Sequence, residues 1–135
     1  MLSPDGRWIA TTLSDNGRND VFVRAFAPTD NGASLRRVTS TGCGTPVWMP
    51  DGTQLYFRCG SKIAFATVTT RGNGLDVGTV KDVATLPPRE GYSTAFSVAS
   101  DGWVLLLHMT GRDHPAVICN WSEVLRRIEQ GDLSR

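Results

Sequence analysis

Pro46-Val47-Trp48-Met49-Pro50-Asp51-Gly52-Thr53-Gln54-Leu55-Tyr56-Phe57 reads as the end of a short buried strand, a tight turn and a second strand. Pro50 presets φ for the first corner, Asp51 can accept a hydrogen bond from the backbone two residues on, and Gly52 takes the positive φ that closes the reversal. The pattern recurs. Ser3-Pro4-Asp5-Gly6-Arg7-Trp8-Ile9-Ala10 carries it near the start and Ala99-Ser100-Asp101-Gly102-Trp103-Val104-Leu105-Leu106 near the end. Asp51 follows Asp5 by 46 residues and Asp101 follows Asp51 by 50, an interval at which internal similarity signals a solenoid or a β-propeller. Asp5, Gly6, Asp51, Gly52, Asp101 and Gly102 are therefore read as structural turn positions.

The 135 residues, 40% of them hydrophobic, suffice for one domain with a core. With 14 basic and 13 acidic side chains the net charge is +1, so no overall field draws the protein to nucleic acid or anionic lipid, and neither is expected as a partner. No apolar run approaches the roughly 20 residues that span a bilayer, so no membrane insertion is expected. Met1-Leu2-Ser3-Pro4-Asp5 lacks the basic and apolar regions of a secretory signal. The expected compartment is cytoplasmic for a complete chain and periplasmic or envelope-associated for a piece of a larger one.

Three cysteines without a Cys-x-x-Cys pair indicate neither a zinc site nor a disulfide framework by count. A turn centred on Pro50 and Asp51 brings Cys43 opposite or nearly opposite Cys59, where cross-strand Cβ atoms lie about 4.5–5.5 Å apart. That is close to, but somewhat beyond, the separation a disulfide wants. Cys43 and Cys59 are a candidate disulfide, with two small buried thiols the favoured reading.

Three units follow, over about residues 1–40, 41–87 and 88–120. The first lacks its opening strand and offers Trp8 to Leu13, a turn cluster at Asp15-Asn16-Gly17-Arg18-Asn19, Val21 to Phe26, and an outer strand from Leu35 to Thr39. The second offers strands near 45–49, 54–59, 62–68 and 80–86, with Arg71-Gly72-Asn73-Gly74 in a longer loop, and four strands in a row make a propeller blade. Ile63-Ala64-Phe65-Ala66-Thr67-Val68 alternates large against small, which suits a sheet covered on both faces. The third runs through Tyr92 to Val98, Trp103 to Met109 and Pro115 to Cys119, with no outer strand. Asn120 can then cap a helix over about 121–130, whose Trp121, Val124, Leu125 and Ile128 form one apolar stripe, with Gly131 as terminator. The expected fold is all-β: a partial β-propeller of about three antiparallel blades, the first and last incomplete, with a short C-terminal α-helix.

The recurring Ser-Pro-Asp-Gly turn followed by an aromatic-aliphatic strand resembles TolB-type, WD-repeat-like bacterial β-propellers over nearly the whole chain. Ser3 to Ala10, Asn19 to Arg24, and Asn120 to Ile128 look most like propeller segments attached to bacterial serine/threonine kinases. Met49 stands where that pattern usually has Ser, and Ala99-Ser100 where it has Ser-Pro. A closed propeller needs about four blades or more, so the resemblance implies either a piece of a larger ring or a half that a second copy completes. A homodimer is expected.

No catalytic constellation is found. Only His108 and His114 are available, too few for a three-histidine metal centre. His108 reads as an edge residue of an apolar strand and His114 as a turn residue. There is no Gly-x-Ser-x-Gly elbow. Gly42-Cys43-Gly44 and Gly72-Asn73-Gly74 lack the Lys-Ser/Thr and helix of a phosphate cradle. Asp5, Asp51 and Asp101 stand singly and read as turn carboxylates rather than calcium ligands. Trp8, Trp48, Trp103 and Trp121 read as packing residues, and Arg36-Arg37 with Arg24, like Arg126-Arg127, as solvated surface. Neither metal nor cofactor is expected. The chain reads as a non-catalytic module that binds a protein or peptide through loops or strand edges. Arg18, Arg71, Asn73, Arg89, Tyr92 and Arg112 are the loop positions expected to contact it. The alternatives are the gating segment of a prolyl-oligopeptidase-like peptidase and the ligand-sensing module of an envelope kinase.

Overall fold

The computed structural model describes residues 1–26, 35–72, 74–86, 92–110 and 114–118. These form three antiparallel sheets and, among the described residues, no helix. The first sheet contains β1 (Trp8–Asp15), β2 (Arg18–Ala25) and β3 (Arg36–Arg37). The second contains β4 (Cys43–Trp48), β5 (Gln54–Cys59), β6 (Lys62–Arg71) and β7 (Gly74–Thr85). The third contains β8 (Tyr92–Val98), β9 (Val104–Thr110) and β10 (His114–Ile118). Each is a meander in which every strand pairs with the next. The expected helix over 121–130 lies outside the described residues.

Local chemistry sets the reversals. Gly6, Gly52 and Gly102 take φ of 71°, 74° and 85°, a region that glycine enters without steric penalty. Their N–H groups donate to the carbonyls of Ser3, Met49 and Ala99 at 2.9, 2.8 and 3.0 Å. The three aspartates accept from the amide two residues on: Arg7 to Asp5 at 3.1 Å, Thr53 to Asp51 at 2.9 Å and Trp103 to Asp101 at 3.2 Å. Met49 and Ala99 thus leave the turn intact. Ser3 adds to its turn, its hydroxyl donating to Asp5 and accepting the Trp8 N–H, and the Thr53 hydroxyl likewise donates to Asp51.

Strands β4 to β6 of the second sheet are covered on both faces, while β7 is largely exposed. Trp48, Leu55, Phe57, Ala64, Ala66 and Val68 pack against Trp8, Ala10, Val21 and Val23 of the first sheet. Val47, Met49, Tyr56 and Ile63 pack against Phe96, Val98, Val104 and Leu106 of the third. The large-small alternation has a cross-strand meaning, because Leu55 sits opposite Ala66 and Phe57 opposite Ala64. Small residues on β6 make room for large ones on β5. On the other face Tyr56 lies opposite Phe65, and their rings stack 5.3 Å apart at 25°. Burying one such large apolar side chain contributes about 1.5–3 kcal/mol.

The first sheet has only a fragment of an opening strand. Leu2 bridges Ile9, and bonds of 2.8 Å join the Ala10 amide to the Met1 carbonyl and the Ser3 amide to the Trp8 carbonyl. Beyond Ala10 the outer edge of β1 has no strand beside it among the described residues.

Two expectations are corrected. Arg71-Gly72-Asn73-Gly74 is not a long loop, since Arg71 pairs with Gly74 and β6 and β7 continue to the hairpin tip. Threonines 67, 69 and 70 with Leu75, Val77 and Val80 favour extended backbone, and register shifts between Ile63/Ala64 and Ala66/Val68 absorb the extra residues of β7. Gly78 lies at the second shift, where a Cβ would stand 2.2 Å from the Thr67 hydroxyl oxygen, so a larger residue would force the Thr67 side chain to turn away. The outer strand of the first sheet is also shorter than Leu35 to Thr39. Beyond Arg37 the chain bends so that Val38 and Thr39 both direct their amides at the Val21 carbonyl.

Cys43 lies directly opposite Cys59 with Cα atoms 4.2 Å apart, and the pair is a disulfide rather than two thiols. The bond spans 16 residues, a closure for which loop entropy gives about 3 kcal/mol.

Candidate functional site

Because successive strands reverse, hairpin tips alternate between two ends of the stack. The three Asp-Gly turns and the β6–β7 tip share one end, where Arg7 Nη2 donates to the Gly72 carbonyl at 2.6 Å. The Asp15–Arg18 tip and the Cys59–Lys62 tip lie at the other. Among the expected partner-contacting residues, Arg71 is therefore at the Asp-Gly end and Arg18 at the opposite end, and the two do not share a surface. Arg71 pairs with Asp76 at 3.2 Å and Arg18 with Asp20 at 3.3 Å. Tyr92 opens β8. Asn73, Arg89 and Arg112 lie outside the described residues.

The Asp-Gly end holds a cleft of about 460 Å³ between the first and second sheets. Trp8, Trp48, Val68 and Leu75 supply its apolar wall, and all four are also core residues. Ser3, Asp5, Asp51, Gly52, Thr53, Thr67, Thr69 and Thr70 supply the rest. The two turns adjoin, for a Cβ on Gly52 would stand 3.8 Å from Pro4 Cδ. The Ser3 hydroxyl, followed by the Arg7 amide, holds the Asp5 carboxyl below its ordinary range. The Thr53 amide and hydroxyl do the same for Asp51. Both are anions at neutral pH. The Tyr56 phenol is pushed up, first by burial and then by the charge of Asp51. Trp48 Nε1 donates to the Met1 carbonyl at 3.3 Å. Trp8 Nε1 is buried with no hydrogen-bond partner among the described residues.

At the opposite end Asp20 is fully buried. Burial opposes its charge, but the Arg37 guanidinium, the Gly42 amide and the Thr39 hydroxyl outweigh that and lower its pKa to about 2. Gly42 donates at 3.1 Å, Thr39 at 3.2 Å, and Arg37 makes the ion pair. Arg37 also reaches Asp15 at 3.8 Å and covers the Phe22 ring at 5.6 Å. Arg36 donates to the Leu75 carbonyl and faces Asp76 at 3.6 Å. The Arg36-Arg37 pair is thus a clasp between elements rather than loose surface. The cluster joins β2 and β3 to the segment that leads into β4.

Trp103 departs from its expected packing role. It is 44% exposed, and with Leu105 it lines an apolar cleft on the third sheet that also includes Val98, Ala99 and Val104. Trp8 and Trp48 are core residues as expected, and Trp121 lies outside the described residues. His108 stands in β9, and His114 opens β10 rather than occupying a turn. Among the described residues no three of His, Cys, Asp and Glu converge on a metal position.

Sequence reasoning missed Asp20 and the threonine wall of the cleft. Asp20 had one signal, a carboxylate adjoining the inward apolar positions Val21 and Val23, but its partner Arg37 is 17 residues away. No protein-family model matches the chain and no curated protein matches it, so the functional reading rests on the cleft, the edges and the faces described above.

Proposed function

We propose that the chain is a partial β-propeller serving as a non-catalytic interaction module, completed by a second copy and binding a protein or peptide through loops and free strand edges. One observation carries this reading: a four-stranded meander is flanked on its two faces by similar meanders, and the same Asp-Gly reversal recurs in each unit. Radial repetition of such sheets is how propellers protect their faces. The resemblance to TolB-type repeats points the same way. In this reading the first and third sheets are the terminal blades of a half-ring, and their uncovered faces meet those of the partner copy. Leu13 and Trp103 with Leu105, all more than a third exposed, fit that arrangement. The edge of β1 beyond Ala10, which has no strand beside it among the described residues, offers a second attachment, by strand addition. The Cys43–Cys59 disulfide suits an oxidising compartment.

Light scattering on the eluting protein tests the assembly. The expected mass at micromolar concentration is twice the 14.7 kDa of one chain. A stable species of one-chain mass would overturn the proposal.

A further inference from the structure

We infer that the cleft between the Asp5 and Asp51 turns is a receptor for an arginine side chain presented by a partner peptide. The inference rests on the interaction-module reading and gives it a site and a ligand chemistry. The lining holds two carboxylates and no basic side chain. In each carboxylate the same oxygen, Oδ1, is engaged by its own turn: in Asp5 by the Ser3 hydroxyl and Arg7 amide, in Asp51 by the Thr53 amide and hydroxyl. The second oxygen of each has no partner among the described residues, and none of the ion pairs there includes Asp5 or Asp51. The Arg7 guanidinium, whose charge also favours the ionised Asp5, donates to the Gly72 carbonyl and makes no ion pair with Asp5.

Two anions line one cleft, and a cation seated between them is attracted by both. Both carboxyls are held below their ordinary range and stay charged across the neutral range. Arginine suits the remaining geometry better than lysine. Its planar fork can donate to two acceptors on different turns, and its weakly hydrated face tolerates contact with indole. The apolar wall of Trp8, Trp48, Val68 and Leu75 would take the methylene stem. Trp8 supplies an independent indication. Its Nε1 is the buried side-chain polar atom left without a partner among the described residues, and such a donor in a cleft wall is stabilised by an acceptor from outside, such as a peptide carbonyl. The volume of about 460 Å³ falls within the usual range of ligand pockets.

The test is a titration of the full chain, followed by amide and indole NMR shifts, with the acetylated and amidated peptide Gly-Ala-Arg-Ala-Gly. Counterparts carrying citrulline, the neutral isostere, and lysine in place of arginine are run beside it. The expected result is shifts at residues 5–8 and 51–53 and at the Trp8 indole, with the citrulline peptide at least about fivefold weaker and lysine between the two. The variant D5N/D51N retains a side-chain oxygen to accept each turn amide, and it should bind the arginine peptide about tenfold more weakly, as two exposed charge contacts imply. Equal binding of arginine and citrulline, equal binding by the variant, or shifts confined to other loops would overturn the assignment. So would absence of shifts with all three peptides. Those outcomes leave the interaction-module reading standing or falling on the mass measurement above, so the two failures are separable.

Discussion

Phe57→Ala is expected to lower the unfolding free energy by about 3–5 kcal/mol, the range for truncating a fully buried aromatic ring. Phe57 has no exposed surface and lies in the core shared by the first and second sheets. Its cross-strand neighbour on the same face is Ala64, with Ala66 two positions along. Alanines cannot swing into the vacated volume, and the backbones of β5 and β6 are held by their ladder, so the cavity stays open. Urea unfolding followed by tryptophan fluorescence gives the value, with an unchanged denaturant slope showing that the two-state transition is retained. Val80→Ala is the control. Val80 is 45% exposed, and its truncation should cost within about 0.5 kcal/mol. Similar costs at the two positions would mean that the first sheet does not cover the face of the second that bears Phe57.

Asp20→Asn is the other substitution with a large expected effect, and its signature is a pH window. The folded-state pKa of Asp20 is about 2 against an ordinary 3.8. A depressed carboxyl binds protons more readily in the unfolded chain, so its contribution is present in full above pH 3.8 and is lost as pH falls through 2. The variant keeps the shape but deprives Arg37 and Arg18 of the carboxylate they face. Its melting temperature should fall clearly below that of the parent at pH 7, and the two should converge between pH 4 and pH 2. Asp5 and Asp51, whose carboxyls are also depressed, leave the variant a shallower acid limb of its own. An undiminished gap at pH 2 would show that the loss is steric rather than electrostatic.

The parts of this architecture that sequence made legible are those set within a few residues. The Asp-Gly turns are specified by three or four neighbouring positions, which is why they could be read at residues 5, 51 and 101 despite Met49 and Ala99. The opposition of Cys43 and Cys59 follows from one turn centre, but ordinary cross-strand Cβ spacing, somewhat wider than a disulfide wants, favours thiols, whereas the two strands approach to 4.2 Å between Cα atoms here. The β6–β7 hairpin was hidden because its bulges depend on how Gly78 meets Thr67 across the ladder. Asp20 was hidden for a similar reason, since its partners arrive from three later positions, Arg37, Thr39 and Gly42. The run from Trp103 to Met109 is apolar at both parities except His108, so its pattern did not reveal that Trp103 and Leu105 are left partly exposed. Position along the chain marks Arg18 and Arg71 alike as turn residues, and only the direction of each strand separates them.

Three meanders stacked in series, with the second gripped on both faces, give two distinct sets of nuclear Overhauser contacts. One set is expected from Phe57 and Leu55 to Val21 and Val23, and a separate one from Tyr56 and Val47 to Phe96 and Leu106. Contacts from Phe57 and Tyr56 to one and the same neighbouring sheet, or either set missing in a folded chain, would contradict this stacking.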